Sequence, residues 1–75
     1  MFNKQVLIDI ANTPMPFGKY KGIMLINLPE PYLIWFARQG FPDNKLGQLL
    51  ATTLALKTDG LEDLVKPLIK KVSHE

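Results

Sequence analysis

The sequence predicts an α+β fold, a small single domain in which a short β-hairpin packs against about four helices. Three observations carry that prediction. Apolar residues recur with the helical period in four separate segments. One run, Ile23-Met24-Leu25-Ile26, is apolar without that period and follows two glycines that bracket a charged turn. Seventy-five residues leave room for one domain, spanning 1–75.

Asn3 is placed to cap a first helix from about Lys4 to Ala11, where Val6, Leu7, Ile10 and Ala11 form one apolar stripe. Pro14 ends it, because the residue before a proline is pushed out of the α region. Phe17 to Ile26 reads as the hairpin, with Gly18 and Gly22 supplying positive φ around its turn. Pro16 confines the first strand to an edge or makes it very short. Two short strands are not stable alone in water, so helices must cover them.

Pro29 and Pro31 suit the first turn of a second helix, where amide protons lack intrahelical partners anyway. Its residues Tyr32 to Ala37 are apolar around most of the circumference, which predicts a place at the centre of the core. Gly40 stops this helix, and Phe41-Pro42 folds back over its end. Asp43 or Asn44 caps a third helix reaching about Lys57, with Leu46, Leu49, Leu50, Thr53 and Leu54 as its stripe. Gly47 within it costs about 1 kcal/mol relative to alanine, which predicts close approach of another element.

Asp59 and Glu62 are spaced as a capping box for a fourth helix, which Pro67 should kink. Residues 73–75 are expected to be loose. The expected core is Leu25, Leu33, Phe36, Leu50, Leu54, Leu64 and Leu68.

Composition narrows function by exclusion. With no cysteine there is no disulfide, thiolate zinc site or cysteine nucleophile, and a reducing cytoplasmic location is the expectation. The single histidine, His74, is next to the last residue, and no carboxylate cluster has metal-ligand spacing. Neither a metal nor a cofactor is expected. Lys4 and Asp9 interrupt the N-terminal apolar stretch, so no signal peptide is read there. The longest apolar run, Tyr32 to Ala37, falls far short of the roughly 20 residues of a membrane span.

The chemistry concentrates in Phe17-Gly18-Lys19-Tyr20-Lys21-Gly22. It is not a nucleotide-hydrolysing loop: in the G-x-x-x-x-G-K-[ST] pattern Thr13 stands where the first glycine belongs and Tyr20 where the hydroxyl belongs. Two lysines around a tyrosine instead suit a phosphate backbone and a stacked base. In extended backbone Lys19 and Lys21 would project to one side and Tyr20 to the other. The plainer reading is a turn kept soluble by its lysines while Tyr20 packs inward. Trp35 and Tyr32 could form a stacking platform, although so dense an apolar run predicts that they are core. Arg38 follows on the same helix. Asp9, Glu30, Asp43, Asp59, Glu62 and Asp63 offer no acid–base pair, since four of them are explained as helix-start residues.

The run Met15-Pro16-Phe17-Gly18-Lys19-Tyr20-Lys21-Gly22, followed by Leu28-Pro29, Tyr32-Leu33, Trp35-Phe36, Gly40-Phe41-Pro42, Leu46-Gly47, Lys57, Gly60-Leu61-Glu62 and Pro67-Leu68, resembles a family of short bacterial proteins labelled as a putative quorum-sensing-regulated virulence factor. The likeness covers about 15–68, and the label describes regulation and not a biochemical activity. Phe17-Gly18-Lys19-x-Lys21-Gly22, Leu28-Pro29 and Tyr32-Leu33-x-Trp35 are also similar to the C-terminal module of exonuclease X-type nucleases. There Tyr20 replaces a frequent histidine, and the likeness fades after Trp35. That resemblance implies a binding role for Lys19 and Lys21 and no nuclease activity, because the catalytic domain and its carboxylates are missing.

Together these readings predict a non-enzymatic accessory module that binds DNA or RNA through Gly18, Lys19, Tyr20, Lys21 and Gly22, with Trp35 and Arg38 nearby. The alternative is a protein-interaction or regulatory domain, in which the same turn and its aromatic neighbours dock a partner protein.

Overall fold

The computed structural model describes residues 3–65. Three α-helices, α1 (Lys4–Asn12), α2 (Glu30–Gln39) and α3 (Lys45–Thr58), are accompanied by two 3₁₀ turns at Leu25–Asn27 and Glu62–Leu64. Local chemistry sets the helix ends where the sequence places them. The Asn3 side chain accepts from the Gln5 N–H at 2.7 Å, and the Asn44 side chain accepts from the Gly47 N–H at 3.1 Å. Gly40, at φ 100°, closes α2 with its N–H shared between the carbonyls of Phe36 and Ala37.

α3 is the central element. It packs on α1, on α2 and on the first 3₁₀ turn, burying Gly47, Leu49, Leu50, Thr53 and Leu56. Ile10 and Ala11 from α1, Met15, Leu25, Ile26 and Leu28 from the connecting segment, Leu33 from α2, and Val65 complete the core. The buried Thr53 hydroxyl donates to the Leu49 carbonyl at 2.7 Å, so its polarity is satisfied within the helix. Two ion pairs tie the elements together: exposed Lys45 with Asp9 at 3.5 Å, and the largely buried Lys57 side chain with Glu62 at 2.7 Å.

The α+β expectation is wrong. The described residues contain no strand, only a single antiparallel bridge between Pro14 and Met24. The reason is a shortage of donors. Pro14 and Pro16 flank Met15, so Met15 alone among the three has an N–H to pair with the returning chain. The returning segment then leaves extended geometry, and Asn27 and Leu28 donate back to Met24 and Leu25 at 2.8 and 3.1 Å in a 3₁₀ turn.

Two further expectations change. α2 is not central, because Leu33 is its only buried residue; Ile34 and Trp35 face solvent. A chain this small buries only about 60% of its surface, too little to cover an all-round apolar helix. Phe36 and Leu54 pack on the core without being buried. Asp59 does not open a capping box either. It ends α3 in helical geometry (φ −87°, ψ 0°), its N–H on the Ala55 carbonyl, while the Glu62 carboxylate meets Lys57. The Leu64 side chain, the rest of the expected fourth helix with Pro67 and Leu68, and the expected loose end at 73–75 lie outside what is described. No helix among the described residues is long and apolar enough to cross a membrane.

Candidate functional site

The glycine-bracketed segment is a closed loop. At its base the Leu25 N–H donates to the Thr13 carbonyl (3.0 Å), the Met15 N–H to Ile23 (2.8 Å), and the Gly22 N–H to Met15 (2.8 Å). Nearer the tip, Lys21 donates to the Gly18 carbonyl at 3.2 Å and Ile23 to the Tyr20 carbonyl at 3.0 Å. Gly18 and Gly22, at φ 80° and 89°, provide the left-handed positions that these successive turns require. The tip is therefore folded and not extended, so strand alternation does not set its side chains. Tyr20 packs inward, its ring edge-on to Tyr32 with centroids 4.7 Å apart. Lys19 and Lys21 are exposed, and the Lys19 ammonium lies 5.6 Å from the Tyr20 ring centroid.

Beside the tip runs one face of α2. Tyr32, Trp35, Phe36 and Gln39 recur at i, i+3, i+4 and i+7, so their side chains stand over one another. With Phe17, Gly18 and Lys19 they line a groove of about 440 Å³. Ring contacts build its walls: Tyr32 stacks on Trp35 at 6.0 Å and 24°, and Phe36 meets Phe17, Tyr32, Trp35 and Phe41 at 5.3 to 6.4 Å. All six aromatic residues of 3–65 join this one cluster. Trp35 is 55% exposed and Phe17 46% exposed, so the rings are presented and not spent on the core.

The electrostatics are one-signed. Among the described residues, Lys19 is the only charged one on the groove wall, and no carboxylate lines it. Lys45 and Lys57 are taken up by Asp9 and Glu62, whereas Lys19, Lys21 and Arg38 form no ion pair among the described residues.

Of the residues singled out from sequence, Gly18, Lys19, Tyr32 and Trp35 come together in the groove. Tyr20 supports it from behind through Tyr32. Lys21, Gly22 and Arg38 are exposed outside it, and Gly22 holds the base of the loop. Sequence reasoning named Phe17 in the loop without giving it a binding role, missed Gln39 and assigned Phe36 to the core. The helical spacing of 32, 35, 36 and 39 is the signal that identifies one aromatic face.

A family model described as "Putative quorum-sensing-regulated virulence factor" matches residues 3–68, so the match takes in α1 as well as the loop and the aromatic face. Two relatives, each called uncharacterized protein YpeB, come from Escherichia coli strain K12 and from Escherichia coli O157:H7. Each is 64% identical over 66 residues, covering 87% of this chain and 92% of the relative. No solved structure matches.

Proposed function

Because the chain belongs to the family described as putative quorum-sensing-regulated virulence factor, a description that names no ligand, we propose its function from the groove: a non-catalytic module that binds nucleic acid. The observation that carries this reading is one wall shared by an exposed indole, Trp35, and the Lys19 ammonium, which among the described residues has no ion-pair partner and no carboxylate beside it. A cationic groove with stacking rings suits a polyanion that carries planar bases. Lys21, two residues on and exposed, adds a second phosphate contact. A non-catalytic role is supported by the work that three of the six described carboxylates already do: Asp9 pairs with Lys45, Glu62 with Lys57, and Glu30 accepts from the Thr58 hydroxyl at 3.3 Å.

Fluorescence anisotropy with labelled DNA and RNA, single- and double-stranded, at low salt tests the reading. Wild type should bind, and Lys19→Ala/Lys21→Ala should bind at least several-fold more weakly. Equal binding by the double variant, or none by wild type, defeats it. The apolar lining favours a second reading, the docking of an apolar protein segment, which an absence of nucleic-acid binding would leave standing.

A further inference from the structure

We infer that the groove selects unpaired strands: a base stacks on Trp35 beside Phe17 while its phosphate lies against Lys19. This rests on the nucleic-acid reading and adds the class of nucleic acid to it. The first argument is which surface a ligand can reach. The groove offers ring faces and edges from Phe17, Tyr32, Trp35 and Phe36. A duplex presents phosphates and base edges, while its base faces are covered by their stacked neighbours. A duplex could therefore touch the two lysines but leave the rings bare. An unpaired base exposes the π-face that Trp35 requires.

Size and charge agree. From Tyr32 to Gln39 the aromatic face of α2 rises by seven residue steps, about 10 Å. That length accommodates about three stacked bases at most. Four rings around one groove would also suit a quaternary ammonium. Here the Lys19 ammonium lines the same wall with no carboxylate among the described residues to offset it, and so opposes a cation and favours an anion. Beyond Lys19, only Tyr32, Trp35 and Gln39 among the described residues of that wall carry hydrogen-bonding side-chain groups, so base edges are read weakly and sequence preference is slight.

Trp35 is the only tryptophan of the chain, so its emission reports directly on stacking. The full chain is titrated with an oligothymidylate, a duplex of equal length, an abasic strand with the same phosphates, and thymidine monophosphate. The single strand should quench Trp35 and bind at least ten-fold more tightly than the duplex or the abasic strand. By anisotropy of a labelled strand, Trp35→Ala should lose roughly 5- to 100-fold in affinity and Trp35→Phe only a few-fold. Phe17→Ala, a change at an exposed ring on the loop, should weaken binding in the same direction.

If single strand, duplex and abasic strand bind alike with Trp35 emission unchanged, the strand selectivity is overturned while lysine-based nucleic-acid binding survives. If nothing binds, both readings fall. If the mononucleotide binds as tightly as the strand, the ligand is a free nucleotide and the strand inference is overturned. Circular dichroism of each variant separates loss of binding from loss of fold.

Discussion

Gly47 shows how one residue fixes two elements at once. It is buried in the first turn of α3, where a side chain would run into the Pro42 carbonyl group, its Cβ only 2.8 Å from the carbonyl carbon. In an exposed helix interior, glycine to alanine stabilises by about 1 kcal/mol. Here the sign should reverse: Gly47→Ala should destabilise by about 1–3 kcal/mol, because Pro42 backbone must move to admit one methyl group. Urea unfolding measures this, and a raised midpoint would mean that the close approach is not sustained in solution. Gly47 was legible in the sequence because an unexplained helical glycine already implies a neighbour. Trp35 was not. Whether a tryptophan in the run Tyr32 to Ala37 is buried depends on which side of α2 the rest of the chain covers, and no local signal records that.

At the scale of the element, α2 carries the site and yet has a slender hold on the core. Leu33 is its only buried side chain, and it lies on the face away from solvent-facing Ile34 and Trp35. Leu33→Ala should cost about 2–5 kcal/mol, a large fraction of the 5–15 kcal/mol that holds a typical domain together. Ile34→Ala, one position on, should change stability by no more than about 0.5 kcal/mol. Thermal melts of the pair decide the matter, since a helix central to the core would suffer from both changes. The caps Asn3 of α1 and Asn44 of α3, the proline start and glycine stop of α2 and the proline after α1 were legible because each depends on residues within a few positions. The hairpin was misread because the apolar run Ile23–Ile26 fits a buried strand and a buried 3₁₀ turn equally well. What decides between them is the pair of prolines across the loop, which leave one donor where a ladder needs several.

For the molecule as a whole, the balance of charge sets how it can bind. Residues 3–65 carry as many acidic as basic side chains, so no general attraction draws a polyanion to them. Affinity must come from the few cations left unpaired at one place, with the rings adding a contribution that salt does not screen. Two phosphate contacts, to Lys19 and Lys21, predict that the logarithm of the binding constant falls against the logarithm of salt with a slope of about −1.4 for a single strand. Removing either lysine should lower the slope by about 0.7, and Trp35→Ala should weaken binding at every salt concentration without changing the slope. Titrations between roughly 50 and 300 mM salt separate the two contributions. A slope steeper than about −3, or one that survives loss of both loop lysines, would move the phosphate contacts away from the loop. Lys66, Lys70 and Lys71, where the excess of basic residues in the sequence lies, would then be the residues to change next.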